Sequence, residues 1–258
     1  MPELPDLEVY SKNLTKKLKG EKLKEIVVHY KDKINASEKA LNDHFSGKSL
    51  NKVYRNGKQL FFDFGKEGLF SMHLMLHGKL VYQEDEAVPK FAIVTFDFSD
   101  VLLVLTDFQK IASITPDPKP LEGIDAFSDE LTGAWLVDRL KKSKASIKAV
   151  LLDQKIIGGI GNAYADEILW EAKISPESVA NKIPEKEVKT LVKAIKNVLS
   201  DAVASILKSD PEIISGEVRD FMKVHHTKKK ESPGGKEILT AKIGGRTTYY
   251  TDEQILYK

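Results

Sequence analysis

The hydrophobic pattern of this 258-residue chain changes its period at a proline-rich segment, and this change limits the possible folds more than any other feature. From about residue 22 to residue 114, apolar and polar residues alternate in short runs that are typical of β-strands. Over residues 126–220, every strong pattern has the period of an α-helix. Pro116, Pro118 and Pro120 separate the two regions. The sequence therefore predicts two domains joined by a stiff linker at residues 116–125.

The first predicted domain, residues 1–115, combines an N-terminal helix with an antiparallel β-sandwich. A helix is predicted at 3–19 because apolar residues recur on one stripe, at Leu7, Tyr10, Leu14 and Leu18. Alternation over 91–98 is typical of a strand with one buried face. The strands are predicted at 26–29, 49–54, 59–64, 69–74, 79–82, 91–98 and 101–106.

The second predicted domain, residues 126–220, is helical, and a hairpin follows it at 221–258. Two strand-like runs flank Gly244-Gly245, which favours a two-residue hairpin turn. The fold class is therefore α+β. The helices are predicted at 128–140, 143–153, 162–173 and 184–208.

Composition and charge exclude several classes of protein. Hydrophobic residues make up 41% of the chain, enough for a folded core, and the longest apolar run, 101–105, is far shorter than the roughly 20 residues of a membrane span. The acidic N-terminus differs from a secretory signal, so we expect a protein that stays inside the cell. Residues 219–258 contain nine Lys and Arg against five Asp and Glu, which favours a polyanion partner or a solvated basic surface.

The chain has no cysteine, which excludes disulfides, thiolate chemistry and zinc sites built on Cys. The adjacent pair His225-His226 is not expected to bind a metal. On a strand, neighbouring side chains point to opposite faces, and neither histidine has an evident partner.

Pro2 and Glu3 are candidates for covalent chemistry. Removal of Met1 would expose the secondary amine of Pro2, which can attack an electrophilic carbon while Glu3 transfers protons. A structural interpretation is also open. Pro2 would then lie at the beginning of a helix, and Glu3 would complement the helix dipole.

A second candidate site combines the glycine-rich turn at 158–161 with Asn162 and Arg246. The backbone N–H groups at the beginning of a helix accept a phosphate, and an arginine next to a hairpin turn can bind one through two hydrogen bonds. The alternatives are a tight turn with Asn162 as an ordinary N-cap and a solvent-exposed Arg246 without a role.

Four blocks in order resemble the formamidopyrimidine-DNA glycosylase / endonuclease VIII family. They are Pro-Glu-Leu-Pro-Asp-Leu-Glu at 2–8, Gly57-Lys58 with His-Leu-Met-Leu-His-Gly at 73–78, the segment 153–167 around the glycine-rich turn, and Gly-Gly-Arg-Thr-Thr-Tyr-Tyr at 244–250. The resemblance implies a helix-two-turn-helix domain followed by a β-hairpin finger. It also implies that Pro2 is the nucleophile, that Glu3 is the acid or base, that Lys58 belongs to the catalytic group, and that DNA is contacted by Lys58, His73, Asn162 and Arg246.

The sequence departs from the family pattern at two places. The family inserts a Met, an Arg and an aromatic side chain where a base has left the DNA stack, and the matching positions here are Leu76, Gln109 and Ile111. Leu and Ile can still act as apolar wedges. Because the four cysteines of the usual zinc finger are absent, the resemblance implies a finger of the zincless kind.

The family resemblance implies a bifunctional DNA glycosylase and AP lyase of base excision repair. It would act on double-stranded DNA that contains oxidised bases or abasic sites, through a Schiff base and without a cofactor. We expect a monomeric, cytoplasmic protein that works on the bacterial nucleoid, with no membrane association. Two alternatives remain open: a DNA-binding protein without activity on the same scaffold, and a structural RNA-binding or ribosome-associated protein.

Overall fold

A computed structural model describes residues 1–85 and 87–258, which form two compact units. The first unit comprises Met1–Pro120 together with Ile206–Glu217, and the second comprises Leu121–Ser205 together with Val218–Lys258. The division after Pro120 falls within the segment 116–125. Residues 206–217 group with the first unit, although residues 206–209 are the end of the helix Glu185–Ser209, whose earlier turns belong to the second.

The predicted N-terminal helix is present as α1, Leu4–Leu18, and its apolar stripe is buried. Glu3 is the N-cap, and a capping box joins it to Asp6: the Glu3 N–H donates to Asp6 Oδ2 over 2.8 Å, and the Glu3 side chain accepts from the Asp6 backbone. Thr15 joins α1 to the neighbouring strand, since its hydroxyl donates to the Val53 carbonyl over 2.7 Å. The helix is therefore fixed at its beginning and near its end.

The predicted β-sandwich is confirmed as two four-stranded antiparallel sheets with strand orders β1-β6-β7-β5 and β2-β3-β4-β8. Rings from both sheets meet in the core, where Phe70 stacks on Phe96 with centroids 5.0 Å apart and Phe62 lies 6.2 Å from Phe96. The strands are β1 Glu25–Val28, β2 Lys52–Asn56, β3 Gln59–Asp63, β4 Leu69–His73, β5 Lys79–Gln83, β6 Ala92–Asp97, β7 Leu102–Thr106 and β8 Ser113–Pro116.

The sequence prediction missed two elements of the first unit. Helix α2, Glu38–Phe45, carries only two buried residues, Leu41 and Phe45, which is too few for a clear period. Strand β8 lies at the edge of its sheet and ends at Pro116, where a missing N–H costs no ladder hydrogen bond. Because Pro116 also begins the predicted linker, nothing in the sequence indicates that the last strand of the sandwich extends to it.

The second unit contains the predicted helices and the predicted hairpin. The hairpin turns at Gly244 and Gly245, whose φ angles of 57° and 76° suit a two-residue turn. A short parallel pair, β9 Ile124–Asp125 with β10 Ile157–Gly158, precedes α5. The other elements are α3 Gly133–Lys141, α4 Ile147–Leu152, α5 Asn162–Glu171, α6 Glu185–Ser209, β11 Leu239–Ile243 and β12 Arg246–Tyr250.

None of the helices in the described ranges has an apolar stretch long enough to cross a membrane.

The ring stack predicts where the first unit is most sensitive to mutation. Phe70→Ala removes a side chain that is 1% exposed and should lower the free energy of unfolding by about 3–5 kcal/mol. Phe108→Ala removes a ring that is 56% exposed and should leave it within about 0.5 kcal/mol of wild type. Urea unfolding compares the two variants, and similar losses would contradict this assignment of the core.

Candidate functional site

The capping box at the beginning of α1 holds the carboxylate of Glu3 beside Pro2. Both residues are buried, and Glu3 is only 4% exposed. The carboxylate lies at the N-terminal end of the helix, where the helix dipole favours negative charge. The structure therefore gives Glu3 the cap position that the structural interpretation of the sequence expects. The same cap fixes an acid–base group next to the second residue of the chain.

The first residues also contact the segment that follows α6. The amino group of Met1 forms an ion pair with Glu217 at 2.5 Å. Farther along α1, the Tyr10 hydroxyl donates to the Gly216 carbonyl, and the Asn13 amide donates to the Ile213 carbonyl over 2.8 Å. Residues 213–217 therefore line the beginning of the chain within the first unit.

Lys58 and His73 lie close to each other in the second sheet. Lys58 occupies the turn between β2 and β3, after Gly57 with its φ of 55°, and His73 is the last residue of β4. Burial and the nearby charge of Lys58 lower the pKa of His73 to about 4, so the ring is neutral at pH 7. Because Nδ1 accepts the Met75 N–H over 2.9 Å, the ring proton resides on Nε2. The ammonium group of Lys58 and the N–H of the neutral His73 ring are both donors that can bind a phosphate oxygen.

Asn162 and Arg246 are brought together in the second unit. Asn162 is the first residue of α5, and its side-chain amide donates to the carbonyl of Thr247 over 2.9 Å. Thr247 directly follows Arg246, which is exposed at the beginning of β12. The Oδ1 atom of Asn162 is buried and has no hydrogen-bond partner among the described residues. The helix terminus and the tip of the finger therefore form one surface.

Gln154 orders the glycine-rich turn that precedes Asn162. Its Nε2 donates to the carbonyls of Leu152 and Ile160 over 3.0 and 2.9 Å, and its Oε1 accepts the Gly159 N–H over 3.0 Å. The predicted turn is thus braced by a side chain that sequence reasoning did not single out. A polar residue just after a helix and before a glycine run is the signal that could have indicated it.

The three positions predicted to enter the DNA stack differ in exposure. Leu76 is 49% exposed, Gln109 is exposed, and Ile111 is partly covered. The buried carboxylate of Asp107 accepts the N–H groups of Gln109, Ile111 and Ala112, each over 2.9 Å. The loop that carries two of the three positions is therefore rigid.

Comparison with known proteins decides the family of this chain. A family model described as the formamidopyrimidine-DNA glycosylase N-terminal domain matches residues 1–114, and one described as the formamidopyrimidine-DNA glycosylase H2TH domain matches residues 122–210. A formamidopyrimidine-DNA glycosylase of Wolbachia sp. subsp. Drosophila simulans is 33% identical over an alignment of 265 residues, gaps included. The alignment covers 97% of this chain and 98% of the relative. The chain belongs to the formamidopyrimidine-DNA glycosylase family.

Solved structures of this family have the same fold. Lactococcus lactis Fpg in complex with DNA that contains an abasic site has a TM-score of 0.88 and 27% identity, and the match covers 98% of this chain and 99% of that one. A complex of the Lactococcus lactis protein with DNA that contains an oxidised pyrimidine matches equally well, with a TM-score of 0.88, 27% identity and coverage of 98% and 99%.

The zinc ion of the usual four-cysteine finger does not fit the finger of this chain. The sequence has no cysteine, and the described residues include no group of three or more His, Cys, Asp or Glu that could hold a metal. A buried polar network is present instead. Lys148 donates to Asp166 and Thr248 over 2.6 Å each, and the other oxygen of Asp166 lies 2.7 Å from His225 Nδ1 and accepts the Tyr249 N–H over 3.0 Å.

This network corrects the expectation that His225 lies on a strand without a partner. His225 lies outside any strand and pairs with Asp166, and its ring contacts Tyr249 edge-on at 4.9 Å. Glu167 fixes the same segment, because its carboxylate accepts the N–H groups of residues 223, 224 and 225 over 2.7–2.8 Å. Two adjacent acids, Asp166 and Glu167, among the apolar residues in the middle of α5 are the sequence signal that was missed.

Titration of His73 should make stability depend on pH. The pKa is about 4 in the folded chain and about 6.5 in the unfolded chain, so the unfolded state binds more protons between these values and stability falls as pH falls. Wild type should lose about 2 kcal/mol more than His73→Gln between about pH 7 and pH 5. Urea unfolding at both pH values measures the difference, and equal losses would show that His73 titrates normally.

The network predicts a finger whose stability depends on a buried ion pair and not on metal. Lys148→Met leaves the buried Asp166 carboxylate without its cation and should cost about 3–5 kcal/mol. Lys148→Met combined with Asp166→Asn removes the uncompensated charge and should recover part of this loss. Thermal unfolding with and without EDTA serves as the control, and a lower midpoint in EDTA would contradict the absence of a structural metal.

Proposed function

We propose that this protein is a DNA glycosylase with AP lyase activity that removes oxidised bases from double-stranded DNA. The observation that carries the proposal is the buried pair Pro2 and Glu3, in which the capping box fixes a carboxylate beside the residue that becomes the amino terminus once Met1 is removed. Membership of the formamidopyrimidine-DNA glycosylase family supports the same chemistry.

In the proposed reaction, the lone pair of the Pro2 nitrogen forms a bond to C1′ of a nucleotide that has swung out of the helix. The C1′–base bond breaks, and the base leaves with its electron pair and takes up the proton that the Pro2 nitrogen gives up. Glu3 donates a proton to O4′ as the sugar ring opens, and the amine loses its own proton, so a cationic Schiff base remains. Proton removal at C2′ and then C4′ expels the 3′ and 5′ phosphates. Neither an oxidant nor a cofactor is required for these steps.

The remaining site residues would hold the DNA backbone while the nucleotide is extruded. Lys58 belongs to the catalytic group in this proposal, since its charge would stabilise the phosphate beside the reacting sugar, and the neutral Nε2–H of His73 would donate to a phosphate oxygen. In the second unit, Asn162 and Arg246 would bind a DNA phosphate. Leu76, Gln109 and Ile111 would occupy the gap in the base stack.

The proposed substrate is duplex DNA with an oxidised base or an abasic site. The related Lactococcus lactis protein has been solved with abasic-site DNA and with oxidised-pyrimidine DNA, which supports this assignment. The enzyme would act as a cytoplasmic monomer on the bacterial nucleoid. A second candidate is a DNA-binding protein without activity, and the altered residues Gln109 and Ile111 favour it.

Borohydride trapping distinguishes the enzyme from the DNA-binding protein. Protein that mass spectrometry shows to begin at Pro2 should form a covalent adduct with abasic-site duplex DNA after reduction. Pro2→Gly should form it more slowly and bind DNA with near wild-type affinity. Protein that retains Met1 is the matched control and should form no adduct through Pro2. Tight binding without any adduct would support the DNA-binding protein.

The salt dependence of DNA affinity distinguishes the proposed phosphate contact of the charged Arg246 from that of the neutral His73. Arg246→Ala should weaken binding to duplex DNA and reduce the slope of log K against log salt by about one, because one fewer counterion is released. His73→Gln should weaken binding without changing the slope, because the His73 ring is neutral. Titrations at several salt concentrations measure both variants. An unchanged slope in Arg246→Ala would remove Arg246 from the proposed phosphate contacts.

A further inference from the structure

Aromatic side chains gather at one exposed place on the first unit. Phe108 is 56% exposed, and its ring lies 4.6 Å from that of His77 and 6.4 Å from that of Phe91, which is 47% exposed. Leu76, next to His77, is 49% exposed. We refer to Leu76, His77, Phe91 and Phe108 as the exposed ring cluster. Large apolar side chains that cluster in solvent mark an interaction site.

The backbone around Phe108 is rigid, so its exposure is a property of the fold. Asp107, 1% exposed, accepts three N–H groups from residues 109, 111 and 112. Its own N–H donates to the Phe91 carbonyl over 3.0 Å, and its carbonyl accepts the Lys110 N–H over 3.1 Å. Phe108 therefore extends into solvent from a loop that is fixed on both sides.

Positive charge borders the exposed ring cluster. Lys90 Nζ lies 4.9 Å from the Phe91 ring. Lys110 follows Phe108 by two residues in the same loop, and its Nζ lies 4.7 Å from the ring of Tyr30, outside the cluster. Flat apolar faces bordered by an ammonium group match the chemistry of nucleobases bordered by phosphates. The cluster begins at Leu76, three residues after His73. The N–H of Met75, which directly precedes Leu76, donates to His73 Nδ1.

We propose that Phe108 stacks on a nucleobase of the bound DNA, beside Leu76. The inference rests on the proposed function. It adds a DNA-contacting residue that the family resemblance does not assign, since the resemblance leads to Gln109 and Ile111. Ile111 is partly covered, and Gln109 has no apolar face, so Phe108 is the large apolar group of this loop that can enter a base stack.

The test compares Phe108→Ala with wild type on duplex DNA that carries a reduced abasic site opposite 2-aminopurine. Wild type should change the 2-aminopurine fluorescence on binding, and Phe108→Ala should abolish that change and weaken binding about tenfold. Phe108→Trp should retain both properties, whereas Phe108→Leu should recover only part of the affinity. Ile255→Ala, which removes an apolar side chain of 57% exposure, is the matched control and should behave as wild type.

The outcomes separate this inference from the proposed function. Wild-type affinity and fluorescence in Phe108→Ala, with borohydride adducts still formed, would overturn the inference alone. Loss of stacking in Phe108→Ala, in a protein that never forms an adduct, would support the inference and contradict the enzyme. Sedimentation of wild type as a dimer, reversed by Phe108→Ala, would assign the cluster to a second copy of the chain and overturn the inference. Urea unfolding should be unchanged in the variant.

Discussion

The hydrogen bonds exchanged by Glu3 and Asp6 at the beginning of α1 are the interaction on which the proposed chemistry depends. They satisfy N–H groups that a helix leaves unpaired at its start, and they place one carboxylate beside Pro2. The same hydrogen bonds stabilise the beginning of the helix and fix the position of the Glu3 carboxylate. Residues 213–217 add to this constraint by lining the first turns of the helix.

In the second unit, the corresponding constraint is the burial of Lys148 and Asp166. Two opposite charges without solvent must stay paired, and each must also find its remaining hydrogen bonds. Thr248, Tyr249 and His225 supply these bonds, which join α4, α5 and β12. The ion pair thus connects β12 of the hairpin to α4 and α5, and Arg246 extends from the hairpin that it holds.

Polar side chains at strand ends fix the loops that would meet DNA. Asp107 binds three backbone N–H groups, and His73 binds one through a ring that burial keeps neutral. These hydrogen bonds restrain each loop before any ligand arrives, so less entropy is lost when it binds. The rigid loop around Asp107 also explains how a ring as large as Phe108 stays in solvent.

Among the described residues, the sequence by itself determined the α+β class, seven of the eight sandwich strands, four of the five α-helices after α1, the two-glycine hairpin and the family. These features depend on local periodicity, on turn residues and on motifs within a few residues of one another. The tertiary structure alone decided the grouping of 206–217 with the first unit, the pairing of Lys148 with Asp166 and His225, the proton position on His73 and the exposure of Phe108. The grouping of 206–217, the ion pair and the exposure of Phe108 depend on residues that are distant in the chain or on burial, which no local pattern encodes. The proton position on His73 depends on a hydrogen bond from Met75, two residues away, whose geometry is visible only in the folded structure.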